Sequence, residues 1–477
     1  MNEPADAVVV GSGPNGFAAA ITLAEAGHEV TLVEGRDTLG GGLRSAELTL
    51  PGFIHDVCSA IYPFGRTSPF FVAHAEALER AGVRWIQPPY AIGHPLDDGA
   101  PILLERDVAS TAAGLGEDAD AYRGLMNPLV DHWPTLVPHV LAPFHIPWGP
   151  ITGLRMARFG WQAIHSASAL VRGFRGERAR ALFAGAAAHS ILPLTEHLSA
   201  AAGMVMLATA HVDGWPFAAG GAQTVTDGLA KLFTDAGGRT HTGVSVESLD
   251  QLPPHRVAVL DVSPRNLDAI CGDRLDARYR RALRSFRHGP GVFKLDLAID
   301  GAIPWRDAEL LNAGTIHLGG TFAEIARSEL DVDRGRHNAR PFVLLVQQSN
   351  FDRTRAPDGK NVVWAYCHVP NGSTRDMTEV ILGQIERFAP GFRDTILATH
   401  ATTPAELETY NPNYVGGDIA GGRFDLGQLF DRPARPCNPY STPDPRIYLC
   451  SASTPPGAGV HGMCGYHAAH AALKRLT

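Results

Sequence analysis

The stretch Ala7–Arg44, AVVVGSGPNGFAAAITLAEAGHEVTLVEGRDTLGGGLR, constrains the fold more than any other part of the chain. The apolar run Ala7 to Val10 suits a strand buried on both faces. Gly11, Gly13 and Gly16 follow at the spacing G-x-G-x-x-G, and Phe17 to Ala26 repeats apolar residues at helical spacing until Gly27 stops it. His28 to Val33 reads as a second strand, ending on Glu34. Each part has a physical role. Gly11 allows a tight turn, Gly13 leaves the backbone open to a pyrophosphate, and Gly16 lets the helix pack close to the strand. The helix N-terminus offers free N–H groups and partial positive charge to phosphates. Ser12, Pro14 and Asn15 share the turn and are candidate contacts with it. Glu34, eighteen residues after Gly16, is spaced to accept a hydrogen bond from a ribose hydroxyl, and it would repel a 2′-phosphate, which disfavours NADP. The motif alone is weak. A strand before it and a helix after it complete the context of a dinucleotide-binding turn, against the alternative of a glycine-rich turn in an ordinary βαβ unit.

At 477 residues the chain is long enough for two or more domains with large cores. Its 45% apolar and 19% charged content is that of a soluble globular protein. A net charge of −8 provides no basic face to neutralise phosphates and argues against nucleic acid as a partner. The six cysteines, Cys58, Cys271, Cys367, Cys437, Cys450 and Cys464, form no C-x-x-C pair. That spacing argues against a thiol–disulfide reductase and against a cysteine zinc site, and scattered single cysteines suit a reducing cytoplasm. The N-terminus runs straight into the first strand, so no signal peptide is expected. The longest apolar candidate, Leu198 to Ala210, is too short to span a bilayer.

Along the chain, Leu50 to Ala60 leads out of the first unit, with His55 and Asp56 either polar neighbours of a cofactor or part of a solvated turn. Ser68 to Gly82 is expected to be one helix, Val83 to Glu105 strands with a turn at Asp97–Gly99, and Asp107 to Val130 helical with breaks at glycines. His132 to Pro150 combines five prolines with Trp133, Trp148 and three histidines. Proline is expected to prevent regular structure there. This stretch could line an apolar channel, touch a membrane surface, or be a loop on the core. Residues 151–212 read as mostly helical. After Gly220-Gly221, a helix from Gln223 to Ala236 is closed by Gly237-Gly238. A strand pair is expected at Arg239 to Thr242 and Val244 to Leu249, and a buried strand at Arg256 to Ser263. Val292 to Asp300 alternates apolar and polar residues, as a strand with one wet face would. Thr374 to Phe388 reads as a helix. Ile447 to Cys450 is a buried strand, followed by a turn of small residues from Ser451 to Met463 and a closing helix from Cys464 to Leu476, whose N-terminus could stabilise negative charge.

After Glu34, the run Gly35, Arg36, Asp37, Thr38, Leu39, Gly40, Gly41, Gly42, Leu43, Arg44 resembles the E-x-R-x-x-x-G-G stretch of the flavin amine oxidase and phytoene desaturase group. The glycine-pair, helix, glycine-pair segment at 220–249 and the turn Pro455–Met463 resemble the same group. So do Arg353–Lys360, Ala389–Phe392 and Asn413–Asp418, so the resemblance spans nearly the whole chain. It is to the phytoene desaturase-like FAD-dependent oxidoreductases, and within them to the branch of pyridine nucleotide-disulfide oxidoreductase domain-containing protein 2. That branch name fits poorly here, because no disulfide pair is present and the other G-x-G-x-x-G, Gly457 to Gly462, belongs to the C-terminal turn and is not read as a site for NADPH. The resemblance implies an α/β fold: a discontinuous Rossmann-type FAD-binding domain (1–65, 214–289 and 425–477) and a second α+β substrate-binding domain (66–213 and 290–424). It implies non-covalent FAD, with Arg36, Gly41 and Gly42 against the flavin end. Leu43 and Arg44 belong to that run. Val246 would meet the adenine through its backbone, and Ser263 would face the cofactor. Gly457, Val460, His461, Gly462 and Met463 would lie at the turn beside the flavin, with Ser451 and Ala452 where many relatives carry an acid.

Three functions follow from that resemblance. The favoured one is an FAD-dependent dehydrogenase or desaturase acting on an apolar polyene or lipid-like molecule, with hydride to flavin N5 and re-oxidation by oxygen or quinone. The others are a redox-neutral isomerase or hydratase, and an FAD-binding protein that works through a partner. No acid/base set is legible by spacing. His461 is the first candidate base, against a purely structural histidine in the turn. His189, after the alanine-rich helix, is second, and a core histidine is the stronger reading there. A cytoplasmic location is expected, with peripheral membrane contact left open.

Overall fold

The computed structural model describes residues 3–145, 147, 149–434 and 438–477; Trp148 and Cys437, both named above, lie outside the described residues. A five-stranded, all-parallel sheet organises the cofactor half. Its strands run in the order Ile447–Leu449, His255–Leu260, Ala5–Val10, Val30–Val33, Arg239–His241, drawn from three separate parts of the chain. Val8 and Val9, side by side in the central strand, are fully buried, so both faces of the sheet are covered. Burying a valine contributes about 2 kcal/mol, which is why an unbroken valine run is stable there. The first helix, Pro14–Glu25, packs along the closing helix Met463–Leu476. Small residues permit this. A Cβ on Gly465 would stand 1.8 Å from the Asn15 carbonyl oxygen, and one on Gly16 would stand 1.9 Å from that of Gly11. Gly16 therefore serves helix–strand packing, as its place in the motif predicts.

The second half is built on a seven-stranded sheet in the order Ile396–Thr402, Gly291–Asp300, Lys360–Val369, Val343–Val346, Ala313–Leu318, Tyr90–His94, Ile102–Leu104. Its pairs are antiparallel except Ala313–Leu318 with Tyr90–His94. Helices between residues 108 and 212 cover one side. The architecture is the expected α/β arrangement of a discontinuous Rossmann-type domain with a second α+β domain.

Several local expectations need correction. Gly291–Asp300 has no wet face: all but its last residue are buried. The polar members of the alternation face inward, where Lys294 pairs with Asp296, and Asp296 lies 3.5 Å from the His55 ring. Helix Ser68–Gly82 is two helices, Pro69–Ala73 and Ala75–Arg80, broken at His74. Its ring turns back to the Phe70 carbonyl and to Glu25. The proline-rich segment contains a helix, Trp133–Val140. Pro134 sits in the first turn, where no N–H is needed, and burial of Trp133, Leu136 and Val137 offsets the bond that Pro138 forfeits. Val244 to Leu249 is not a strand. The Gly243 and Val244 amides bond the carbonyls of Arg36 and Glu34, and Ser248 then caps a 3-10 turn with Gln251.

Candidate functional site

One cavity of about 850 Å³ runs between the two halves. At one end the glycine turn forms a cradle. Gly11 has φ +98°, Gly13 begins the first helix without a side chain, and a Cβ on Gly41 would come 2.8 Å from the Gly13 Cα. The carboxylate of Glu34 organises this end. It accepts from the Ser12 amide at 3.0 Å, from Ser12 Oγ at 2.5 Å and from the Arg36 amide at 2.9 Å, and it lies 3.3 Å from the Arg44 guanidinium. Ser12 Oγ accepts from the Gly40 amide at 2.9 Å, and Arg44 donates to the carbonyls of Thr38, Leu39 and Gly41. The glycine run is thus laced to the glycine turn by one acid, one hydroxyl and one arginine, all buried.

Of the sequence candidates, Gly11, Ser12, Gly13, Pro14, Asn15, Glu34, Gly35, Arg36, Gly41, Gly42, Arg44, Val246, Ser263, Val460 and His189 stand in the cavity wall. Gly16, Leu43, Gly457, His461, Gly462 and Met463 do not. Leu43 is a core residue, and a Cβ on Gly462 would meet Phe70 at 2.8 Å. Within the C-terminal turn it is Ala458, Gly459 and Val460 that reach the wall, together with Ser451, Ala452 and Ser453. Arg36 stands beside Glu34 and Gly243, donating to the Tyr410 carbonyl at 2.8 Å. His55 and Asp56 lie behind the wall. Asp56 is spent on Arg355, Ser45 and the Ala222 amide.

His461 is not placed to act as a base. Its Nδ1 accepts from the Met463 amide at 3.0 Å, so Nε2 carries the proton and donates to the Gly457 carbonyl at 3.1 Å. Burial pushes its pKa down to about 4. Both ring nitrogens hold the turn that places Ala458 to Val460, and the residue is structural. His189 does reach the cavity. Its Nε2 lies 3.1 Å from that of His317, and burial, reinforced by His368, lowers its pKa to about 3. The two rings share one hydrogen bond as neutral imidazoles. Ile191, next in the wall, holds φ +53°, a left-handed conformation costly for a β-branched side chain and typical of functional sites.

Three groups in the wall were missed from sequence. Asp261, ending the strand His255–Leu260, accepts from the Gly16 amide at 3.0 Å. Burial, opposed by that amide and reinforced by Glu34, raises its pKa to about 7. Asn413 accepts from the Ser263 amide at 2.8 Å and donates to the Asp261 carbonyl at 3.0 Å, clamping the strand end. Tyr410 donates to the Gly41 carbonyl at 2.6 Å. Asp261 had a signal: V-A-V-L-D copies the apolar-run-then-acid pattern of T-L-V-E. The other two had none beyond the run Asn413–Asp418.

The far end is apolar: Ile61, Phe64, Ile191, Met206, Leu344 and Trp364. Its ionisable members are neutral. Burial raises Tyr366, Tyr414 and Cys58 as it lowers His189. The acids in the wall, Glu34, Glu247 and Asp261, all belong to the nucleotide end.

Residues 9–103 match a family model described as an NAD(P)-binding Rossmann-like domain. The whole chain superposes on an oxidoreductase from Methanosarcina mazei with a TM-score of 0.66 and 15% identity, over 98% of this chain and 99% of that one. A putrescine oxidase superposes with a TM-score of 0.65 and 17% identity over 99% of each chain. The fold is therefore that of the Rossmann-type oxidoreductases that include flavin amine oxidases. Sequence relatives narrow it. The chain is 25% identical to pyridine nucleotide-disulfide oxidoreductase domain-containing protein 2 of Rattus norvegicus, over 99% of this chain and 94% of that protein. It is 26% identical to the phytoene dehydrogenase of Streptomyces griseus, over 95% of this chain and 92% of that protein. By sequence it is thus related to oxidoreductases that include a phytoene dehydrogenase and a phytoene desaturase.

Proposed function

We propose that the protein binds FAD non-covalently along this cavity and oxidises an uncharged, apolar small molecule, a polyene or lipid-like compound, with oxygen or a quinone as final acceptor. The observation that carries the reading is the continuity of one cavity from Gly11, Gly13 and Glu34 to Met206, Leu344 and Trp364. Residues 1–65, 214–289 and 425–477 would form the cofactor domain, and 66–213 with 290–424 the substrate domain.

The residues fit the group. Missing side chains at Gly13 and Gly41 leave the cradle open, the positive end of the first helix begins at it, and Glu34 gives it an acceptor. When bound, FAD supplies a hydride acceptor. The chain's own contribution is positioning and exclusion of water. Ala458, Gly459 and Val460 offer backbone to the middle of the cavity, and Phe64, Ile191, Leu344 and Trp364 close the far end against solvent. That end has no carboxylate among the described residues to pair with an ammonium group, which favours an uncharged substrate over an amine. A neutral His189 could accept a departing proton only weakly, so loss of hydride rather than acid/base activation would lead the reaction.

The test is spectroscopic. The purified protein should be yellow, and heat should release FAD. Without oxygen, a polyene substrate should bleach the flavin stoichiometrically, and putrescine should not. Turnover without net bleaching would make the enzyme redox-neutral, and absence of FAD would refute the cofactor.

A further inference from the structure

We infer that the face around the helix Pro150–Ala163 docks on an anionic lipid surface. Eight large apolar side chains are exposed among the described residues, and five of them, Phe144, Ile151, Leu154, Trp161 and Ile164, fall within one short stretch. A sixth, Phe430, sets its ring edge-on to Phe144 at 5.5 Å. Ile151, Leu154, Arg158 and Trp161 recur at i, i+3, i+7 and i+10, so one stripe of this helix carries them all into solvent. Single exposed leucines are ordinary, but a contiguous apolar stripe marks an interaction surface.

Charge selects the partner. The chain carries a net charge of −8, yet no Asp or Glu occurs from His132 to Gly176, where Arg155, Arg158, Arg172 and Arg175 do. The helices packed against this one, Trp133–Val140 and Ser199–Val212, contain no acid either. An apolar stripe flanked by arginine, on a helix that itself carries no carboxylate, is the pattern of a helix lying in a membrane interface, drawn there by anionic headgroups. A second copy of this acidic chain would offer no such attraction. No helix among the described residues is long and apolar enough to cross a bilayer, so the contact is superficial. Ser199–Val212 also places Met206 in the cavity wall, so a single helix layer separates the stripe from the apolar chamber. Docking does not require that the chamber bind a polyene, and the assay measures binding alone.

Co-sedimentation with vesicles tests the inference. The protein should sediment with vesicles of phosphatidylcholine mixed with phosphatidylglycerol, and should stay in the supernatant with phosphatidylcholine alone. The double variants Leu154→Gln/Trp161→Gln and Arg155→Gln/Arg158→Gln should each lower binding by roughly tenfold without changing the melting temperature. Val72→Gln, at an exposed apolar side chain elsewhere, should bind like the parent. No binding to the mixed vesicles, equal binding to both kinds, or unchanged binding by the double variants would overturn the inference. So would a dimer in light scattering that Leu154→Gln/Trp161→Gln converts to a monomer, which would assign the face to a second copy.

Discussion

Replacing Asp261 by asparagine should change how cofactor affinity depends on pH. The carboxylate receives the Gly16 amide at 3.0 Å, and a Cβ on Gly13 would stand 2.8 Å from it, so it borders the turn where a diphosphate would lie. Burial, opposed by the Gly16 amide and reinforced by Glu34, raises its pKa from 3.8 to about 7. Cys450 and Cys464 press from behind, and burial raises both, so they stay neutral thiols. A shift of about three units corresponds to roughly 4 kcal/mol between the two protonation states. The folded-state pKa lies above the unfolded one. The stabilising contribution is therefore complete below about pH 4 and is lost as pH rises through about 7. A diphosphate beside the same turn further favours the protonated acid, so binding takes up a proton. Wild-type affinity for FAD should fall by up to about tenfold per pH unit above about pH 7. Asp261→Asn keeps an oxygen for the Gly16 amide and carries no charge, so its affinity should be flat with pH and higher than wild type in mild alkali. Quenching of flavin fluorescence in apoprotein titrations reads both, and calorimetry in two buffers of different ionisation enthalpy reads the proton. An affinity constant across that range in the wild type, or the same slope in the variant, would refute the reasoning.

Glu34→Gln leaves the Ser12 and Arg44 contacts without a charged acceptor, and FAD affinity should fall by roughly tenfold or more at equilibrium, with the protein still folded. His461→Ala removes both backbone hydrogen bonds of the C-terminal turn. It should destabilise the protein by about 1–3 kcal/mol in denaturant titration and leave flavin reduction by substrate within a few-fold; a hundredfold slower reduction at unchanged stability would reinstate His461 as the base. Only the Gly11–Gly16 turn is followed by a helix, a strand and an acid among the described residues, so neither NADH nor NADPH should reduce the flavin rapidly without substrate, and fast anaerobic bleaching by either would reveal a nicotinamide site.

The first βαβ unit is legible in the sequence because its signals are local. The valine run, the glycine turn and the acid at the next strand end lie within thirty residues of one another, and periodicity with turn chemistry decides them before any long-range contact forms. The three-part parallel sheet was reached only through resemblance, since nothing local says that Ile447–Leu449 pairs with His255–Leu260. The side-chain chemistry of the site needed the tertiary structure. Lys294 and Asp296 read as a wet face, yet they pair with each other in a dry interior that burial of the whole strand creates. His461 reads as a base until the amide and carbonyl that occupy its two nitrogens are known. Asp261 touches Gly16 across 245 residues of sequence, and Asn413 reaches Asp261 across 152. Only packing brings such groups together, and the burial that accompanies it moves Asp261 toward neutral pH and His189 far from it. Sequence determines which residues can bind or react; their protonation depends on which segments close over them.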